Sequence, residues 1–145
     1  TQVSPYHMAL ITSAIANGGT LMKPYLVDSV TNYKGAVISS TKPEKYAELM
    51  TAKEASMLKD YMSSVTKYGT AASAMSGTSY TTAGKTGTAE YSMDDGEKTH
   101  SWFVGFTNVD NPELVISVII EGYDGNSGAK AVPIAKQILD SYYNR

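Results

Sequence analysis

The sequence predicts an α+β fold: an antiparallel sheet with helices packed against it. Three observations carry that reading. Apolar residues recur at helical spacing in three separate segments. Runs of strand-forming residues lie between turn signals. The last three such runs are consecutive, joined by gaps of hairpin length, which favours antiparallel pairing. The length of 145 residues falls in the range of roughly 100–200 usual for one domain, so residues 1–145 are expected to form a single unit.

Ser4-Pro5 reads as an N-cap with proline in the first helical position, set almost against Thr1. So abrupt a start is expected of a fragment boundary. Met8, Leu10, Ile11, Ala14 and Ile15 then form a helical apolar stripe that stops at Asn17-Gly18-Gly19. Residues 25–31 and 36–39 read as strands around the turn Asn32-Tyr33-Lys34-Gly35, and residues 40–46 as a polar connector. Thr51-Ala52-Lys53-Glu54 has the capping-box pattern. Leu58, Tyr61, Met62, Val65 and Tyr68 follow at helical spacing as far as Gly69.

The small residues of 70–79 predict no single element. Strands are expected at about 82–91, 101–107 and 114–121, separated by Asp94-Asp95-Gly96 and Asp110-Asn111-Pro112. Leu114–Ile120 is apolar almost throughout, which predicts a central strand covered on both faces. Ala131, Ile134, Ala135, Ile138, Leu139 and Tyr142 mark a closing helix, with Pro133 acceptable in its first turn.

Composition narrows the function. A hydrophobic share of 42% and a charged share of 18% are those of a globular protein. Net charge is −2 without a cluster of Lys and Arg, which argues against a nucleic-acid partner. The chain has no cysteine, so it offers no thiol nucleophile, thiolate metal site or disulfide. The apolar run 114–120 is too short to span a bilayer, and no signal peptide opens the chain.

The chemistry concentrates in Gly84-Lys85-Thr86-Gly87-Thr88-Ala89-Glu90. On a strand, Lys85 and Gly87 point to one face and Thr86 and Thr88 to the other. At a sheet edge, a peptide lying alongside would be reached from both faces and by free backbone groups. Its terminal carboxylate would meet the hydroxyls of Thr86 and Thr88, with charge from Lys85 strengthening those bonds. Gly87 removes the side chain that would hold a ligand off the backbone. An N–H here would also serve a tetrahedral oxyanion, a contribution of about 3–4 kcal/mol in acyl transfer. The same letters suit an ordinary Thr- and Gly-rich edge strand guarded by Lys85, and the four residues alone leave both readings open.

Other chemistries fit less well. A phosphate-binding loop ending at Gly84-Lys85-Thr86 requires glycine at position 79, which is Ser79. A serine–histidine–acid triad would have to use His7 or His100, and no nucleophile elbow is present. No His or carboxylate pair has a recognised metal-ligand spacing, and nothing implies a cofactor.

Gly84–Glu90 resembles the K-T-G strand of penicillin-binding proteins, and Ser101-Trp102-Phe103-Val104-Gly105-Phe106 resembles the strand that follows it. Leu114–Glu121 is similar to the next strand and Ala131–Tyr143 to the closing helix. Upstream, Ser4-Pro5 through Ala16-Asn17-Gly18-Gly19 and Met22-Lys23-Pro24-Tyr25-Leu26-Val27 are similar to the preceding segments of class B members. The resemblance covers nearly the whole chain in order. It implies the C-terminal portion of a β-lactamase/transpeptidase-like fold. It also implies a D,D-transpeptidase activity in which a serine attacks the penultimate peptide bond of a D-alanyl-D-alanine stem, or a β-lactam ring. The acyl-enzyme then passes its acyl group to another stem's amine. By this resemblance Lys85 supplies charge and a proton route, Thr86 and Thr88 bind the carboxylate, and Gly87 admits the substrate. The Thr88 N–H would complete the oxyanion hole, and Trp102 is expected to be a packing residue. Partners would be peptidoglycan stem peptides, β-lactams and the remainder of the domain. The location would be extracytoplasmic, with a membrane anchor outside this chain.

The family's order is S-x-x-K, then S-x-N, then K-T-G, and no S-x-N occurs. S-x-x-K occurs at Ser39/Lys42, Ser56/Lys59, Ser64/Lys67 and Ser127/Lys130, where about one match is expected by chance. Lys42-Pro43 disfavours the required helix after Ser39. Ser56 and Ser64 fall on an amphipathic helix, and Ser127 follows the K-T-G strand. None is assigned as nucleophile. The isolated chain is therefore expected to be inactive. Two alternatives of the same fold remain: a non-catalytic β-lactam sensor or binding domain, and a serine β-lactamase fragment.

Overall fold

A computed structural model describes residues 2–93, 96–124 and 129–144. Helix α1 spans Pro5–Ala16, and the Ser4 side chain accepts a hydrogen bond from the His7 N–H at 3.1 Å. Helix α2 spans Ala52–Lys67 and begins with the expected capping box, Thr51 and Glu54 each bonding the other's backbone N–H. Helix α3 spans Ala131–Tyr143; its first N–H donates to the buried Ser101 hydroxyl at 3.2 Å. Among the described residues, no helix is long and apolar enough to cross a membrane.

Among the described residues, three antiparallel sheets accompany the helices. β1 (Thr20–Met22) pairs with β4 (Lys45–Glu48), and β2 (Ser29–Thr31) pairs with β3 (Val37–Ser40). The β2–β3 turn is tied by Asn32, whose side-chain oxygen accepts from the N–H groups of Lys34 and Ala36. The expected connector over 40–46 is corrected at its end, since Lys45 and Tyr46 open β4.

The main sheet has the order β5-β6-β7, formed by Thr82–Met93, Gly96–Thr107 and Val115–Asp124. Asp94 and Asp95 of the expected first turn lie outside the described residues. Among the described residues, the apolar run that begins β7 is not a central strand: β6 holds that position and β7 lies at an edge. Its side chains are half-buried because α1 and α3 both pack on it.

Register assigns the faces. Ala83, Lys85 and Gly87 stand opposite Phe106, Val104 and Trp102; Gly84, Thr86 and Thr88 stand opposite Gly105, Phe103 and Ser101. The first face packs on α1 and α2, with Ile15, Ala16, Met62, Ala83 and Phe106 in one core cluster. The second packs on α3 and the turns after α2, with Ala71, Met75, Phe103, Ala131, Val132 and Ala135 in another. A polar knot fastens the end of α3. The Tyr80 hydroxyl donates to Asp140 at 2.8 Å and the Tyr80 ring stacks on Tyr143 at 4.5 Å. The Tyr143 hydroxyl meets Thr107 at 2.6 Å and donates to Glu113 at 3.0 Å. Burial and the Asp140 carboxylate push the Tyr80 phenol well above its ordinary range.

Candidate active site

The K-T-G segment lies on β5, which among the described residues pairs only with β6 and leaves its other edge outside the sheet. Thr82, Ala83 and Gly84 are buried, Lys85 is exposed, Thr86 and Gly87 are half-buried, and Thr88 to Glu90 are exposed. The open stretch therefore begins at Lys85. The alternation predicted for the motif holds: Lys85 and Gly87 share the face towards α1, and Thr86 and Thr88 share the opposite face.

Two grooves meet at Lys85. One, of about 210 Å³, is lined by Val3, Met8, Lys85, Thr86, Gly87, Trp102 and Val104. The other, of about 390 Å³, is almost wholly apolar and runs between α1 and α2, with Ile11, Ile15, Leu58 and Val65 on its walls and Lys85 at its border. The Lys85 ammonium donates to the Thr86 carbonyl at 2.5 Å, so its charge sits beside the motif's own backbone. Trp102 is half-buried and lines the smaller groove next to Gly87, where sequence alone gave it a packing role.

The two glycines of the motif have different reasons to be glycine. A Cβ on Gly84 would come within 2.5 Å of the Phe103 ring and 3.0 Å of the Val104 carbonyl. Gly84 therefore makes room for the core. A Cβ on Gly87 would meet only the Trp102 Cβ, at 3.4 Å, an ordinary contact. Nothing among the described residues requires a bare backbone at Gly87, which leaves the groove side as the place where its absence of a side chain matters.

The loop after α2 adds a residue that sequence reasoning missed. The Thr70 hydroxyl lies 2.8 Å from the Thr86 hydroxyl. Sixteen residues separate them, and no local pattern marks the pair. The remaining signal was Gly69-Thr70-Ala71 directly beyond a capped helix, where a polar residue is held by its neighbours.

This edge, with its lysine, flanking hydroxyls and bare glycine, sits in a chain whose residues 1–140 match the model of the penicillin binding protein transpeptidase domain. The chain belongs to that family. The chain is 32% identical to peptidoglycan D,D-transpeptidase PbpA of Mycolicibacterium smegmatis, over 94% of this chain and 28% of that protein. It is 31% identical to peptidoglycan D,D-transpeptidase MrdA of Haemophilus influenzae, over 98% of this chain and 24% of that protein. The D,D-transpeptidase domain of a peptidoglycan glycosyltransferase from Eggerthella lenta superposes with a TM-score of 0.80 at 34% identity, over 99% of this chain and 34% of that one. Penicillin-binding protein A of M. tuberculosis, solved as an imipenem acyl-enzyme complex, gives a TM-score of 0.80 at 29% identity, covering 97% of this chain and 31% of that one. The chain thus spans only 24–28% of these two relatives' length. Its α+β architecture is that of the transpeptidase domains it superposes on.

Within this transpeptidase segment, the S-x-x-K serines do not gather at Lys85. Ser39 lies on the exposed β3; Ser56 and Ser64 are exposed on α2, and the Ser64 hydroxyl donates back to the Asp60 carbonyl at 3.0 Å. Ser127 lies outside the described residues. Among the described residues, no serine lines either groove. The His7 backbone N–H is capped by Ser4 and its side chain is exposed, while the His100 ring packs on Tyr91 and its Nδ1 accepts from the Gly122 N–H. Among the described residues, no group of three or more His or acidic side chains is placed to hold a metal.

Proposed function

We propose that residues 1–145 are a single unit, the C-terminal portion of a transpeptidase domain, and that they supply the carboxylate-binding and oxyanion side of a peptidoglycan D,D-transpeptidase site. The observation that carries this reading is the edge of β5 at Lys85, Thr86 and Gly87, which has no second strand beside it among the described residues and borders a groove. A stem peptide ending in D-alanyl-D-alanine, or a β-lactam, would lie along that edge as an added strand. Its carboxylate would accept from the hydroxyls of Thr86 and Thr88. Lys85 would raise the local potential and pass a proton, and Gly87 would let the backbones approach closely. As the carbonyl becomes tetrahedral, the Thr88 N–H would donate to its oxygen.

The attacking serine belongs to the remainder of the domain, outside this chain. Its oxygen forms an ester with the penultimate D-alanine as the terminal D-alanine leaves as an amine. The amine of a second stem then attacks the ester, forming the cross-link and freeing the serine. The relatives named above are transpeptidases, which supports this reading over a sensor domain or a β-lactamase. The parent protein would act outside the cytoplasmic membrane, held there by an anchor that these residues do not contain.

Fluorescent penicillin followed by denaturing electrophoresis tests the assignment. The complete domain is expected to take a covalent label and the isolated 145-residue chain none. A labelled isolated chain would refute the division of labour, and an unlabelled complete domain would refute the function.

A further inference from the structure

We propose that Thr70 is a positioning residue for substrate-carboxylate recognition, acting through Thr86; the inference rests on the transpeptidase reading above. A hydroxyl has one proton to donate, and an ionised carboxylate can only accept. The 2.8 Å contact between the Thr70 and Thr86 hydroxyls has no donor fixed by geometry alone. A bound carboxylate fixes it. Once the Thr86 O–H donates a hydrogen bond to the ligand, its oxygen must accept from the Thr70 O–H, and the two bonds polarise each other in sequence.

The turn that carries Thr70 is built to hold this position. Its neighbour Ala71 is fully buried in the core cluster with Phe103 and Val132. On the other side, a Cβ on Gly69 would come within 2.9 Å of the Val65 backbone, so the chain leaves α2 in close contact with the helix. The Gly69 N–H donates to the Ser64 carbonyl and the Ala71 N–H to the Val65 carbonyl, which fixes the backbone on both sides of Thr70. Thr70 itself is exposed, in a molecule where nearby Ser63 and Thr66 on α2 are buried. Its hydroxyl therefore contributes little to packing and is presented at the motif.

The test uses the complete domain, with acylation followed for a penicillin and for the same penicillin with its carboxylate blocked as a methyl ester. Thr70→Val is expected to slow acylation by the free acid about three- to tenfold, the worth of one net hydrogen bond. The ester should react at an unchanged rate, and Thr70→Ser should restore the acid. In a Thr86→Val background, Thr70→Val should add no further loss, because the coupled partner is gone. Equal slowing of acid and ester, or no slowing of either, would overturn the inference while leaving the transpeptidase assignment intact. A wild-type domain that penicillin does not acylate at all would overturn both.

Discussion

The two halves of β5 share a strand, a partner and an unbroken register with β6, yet their surroundings are opposite. Thr82 to Gly84 are buried. The Thr66 hydroxyl donates to the Thr82 carbonyl at 2.6 Å, and just before the strand Thr81 accepts from the N–H groups of Asn108 and Val109. Lys85 to Glu90 pair with β6 on one side, have no second strand on the other among the described residues, and are exposed or half-buried. One half is clamped and the other is offered. A peptide edge that must bind a ligand with precision needs a rigid origin, and the buried half provides it a few residues from the open one.

Substitutions at matched positions sharpen that contrast. The largest loss of stability is expected from Gly84→Ala, whose new methyl meets a Phe103 ring that is only 1% exposed and has no room to retreat. Overpacking of this kind costs about 1–3 kcal/mol, read as a lower denaturant midpoint at constant slope. Thr66→Val should cost about 1 kcal/mol by the same measurement, since a buried carbonyl loses its donor, and Thr66→Ser should recover most of it. Gly87→Ala should leave stability within about 0.5 kcal/mol of the parent. In the complete domain it should nevertheless slow acylation by penicillin more than tenfold, a loss of about 1.4 kcal/mol or more in transition-state binding. If Gly87→Ala unfolded the chain and Gly84→Ala did not, the assignment of the two halves would be reversed.

Much of this was legible in the amino-acid sequence because it is local. Ser4 before Pro5 and Thr51 before Glu54 mark helix starts by chemistry within one turn, and both caps form. The alternation of Lys85, Thr86, Gly87 and Thr88 follows from the strand period alone. What escaped depends on contacts distant in sequence. β1 and β4 are strands of three and four residues whose register shifts within the pair, too brief to leave a pattern. The run at 114–120 predicted a central strand because apolar residues on both faces usually mean neighbouring strands on both sides. Among the described residues β7 has a strand on one side only, and helices on both faces account for the same composition. The role of Gly84 required knowing that Phe103 lies across from Thr86, and the role of Thr70 required knowing where α2 ends in space.

Trp102 is the chain's one tryptophan, and it stands directly across from Gly87 on the wall of the smaller groove. Indole emission excited at the red edge, beyond the absorption of the eleven tyrosines, therefore originates at the place where a ligand would arrive. On the function proposed above, Trp102 would serve as a built-in optical reporter of occupancy, following non-covalent encounter before any ester forms.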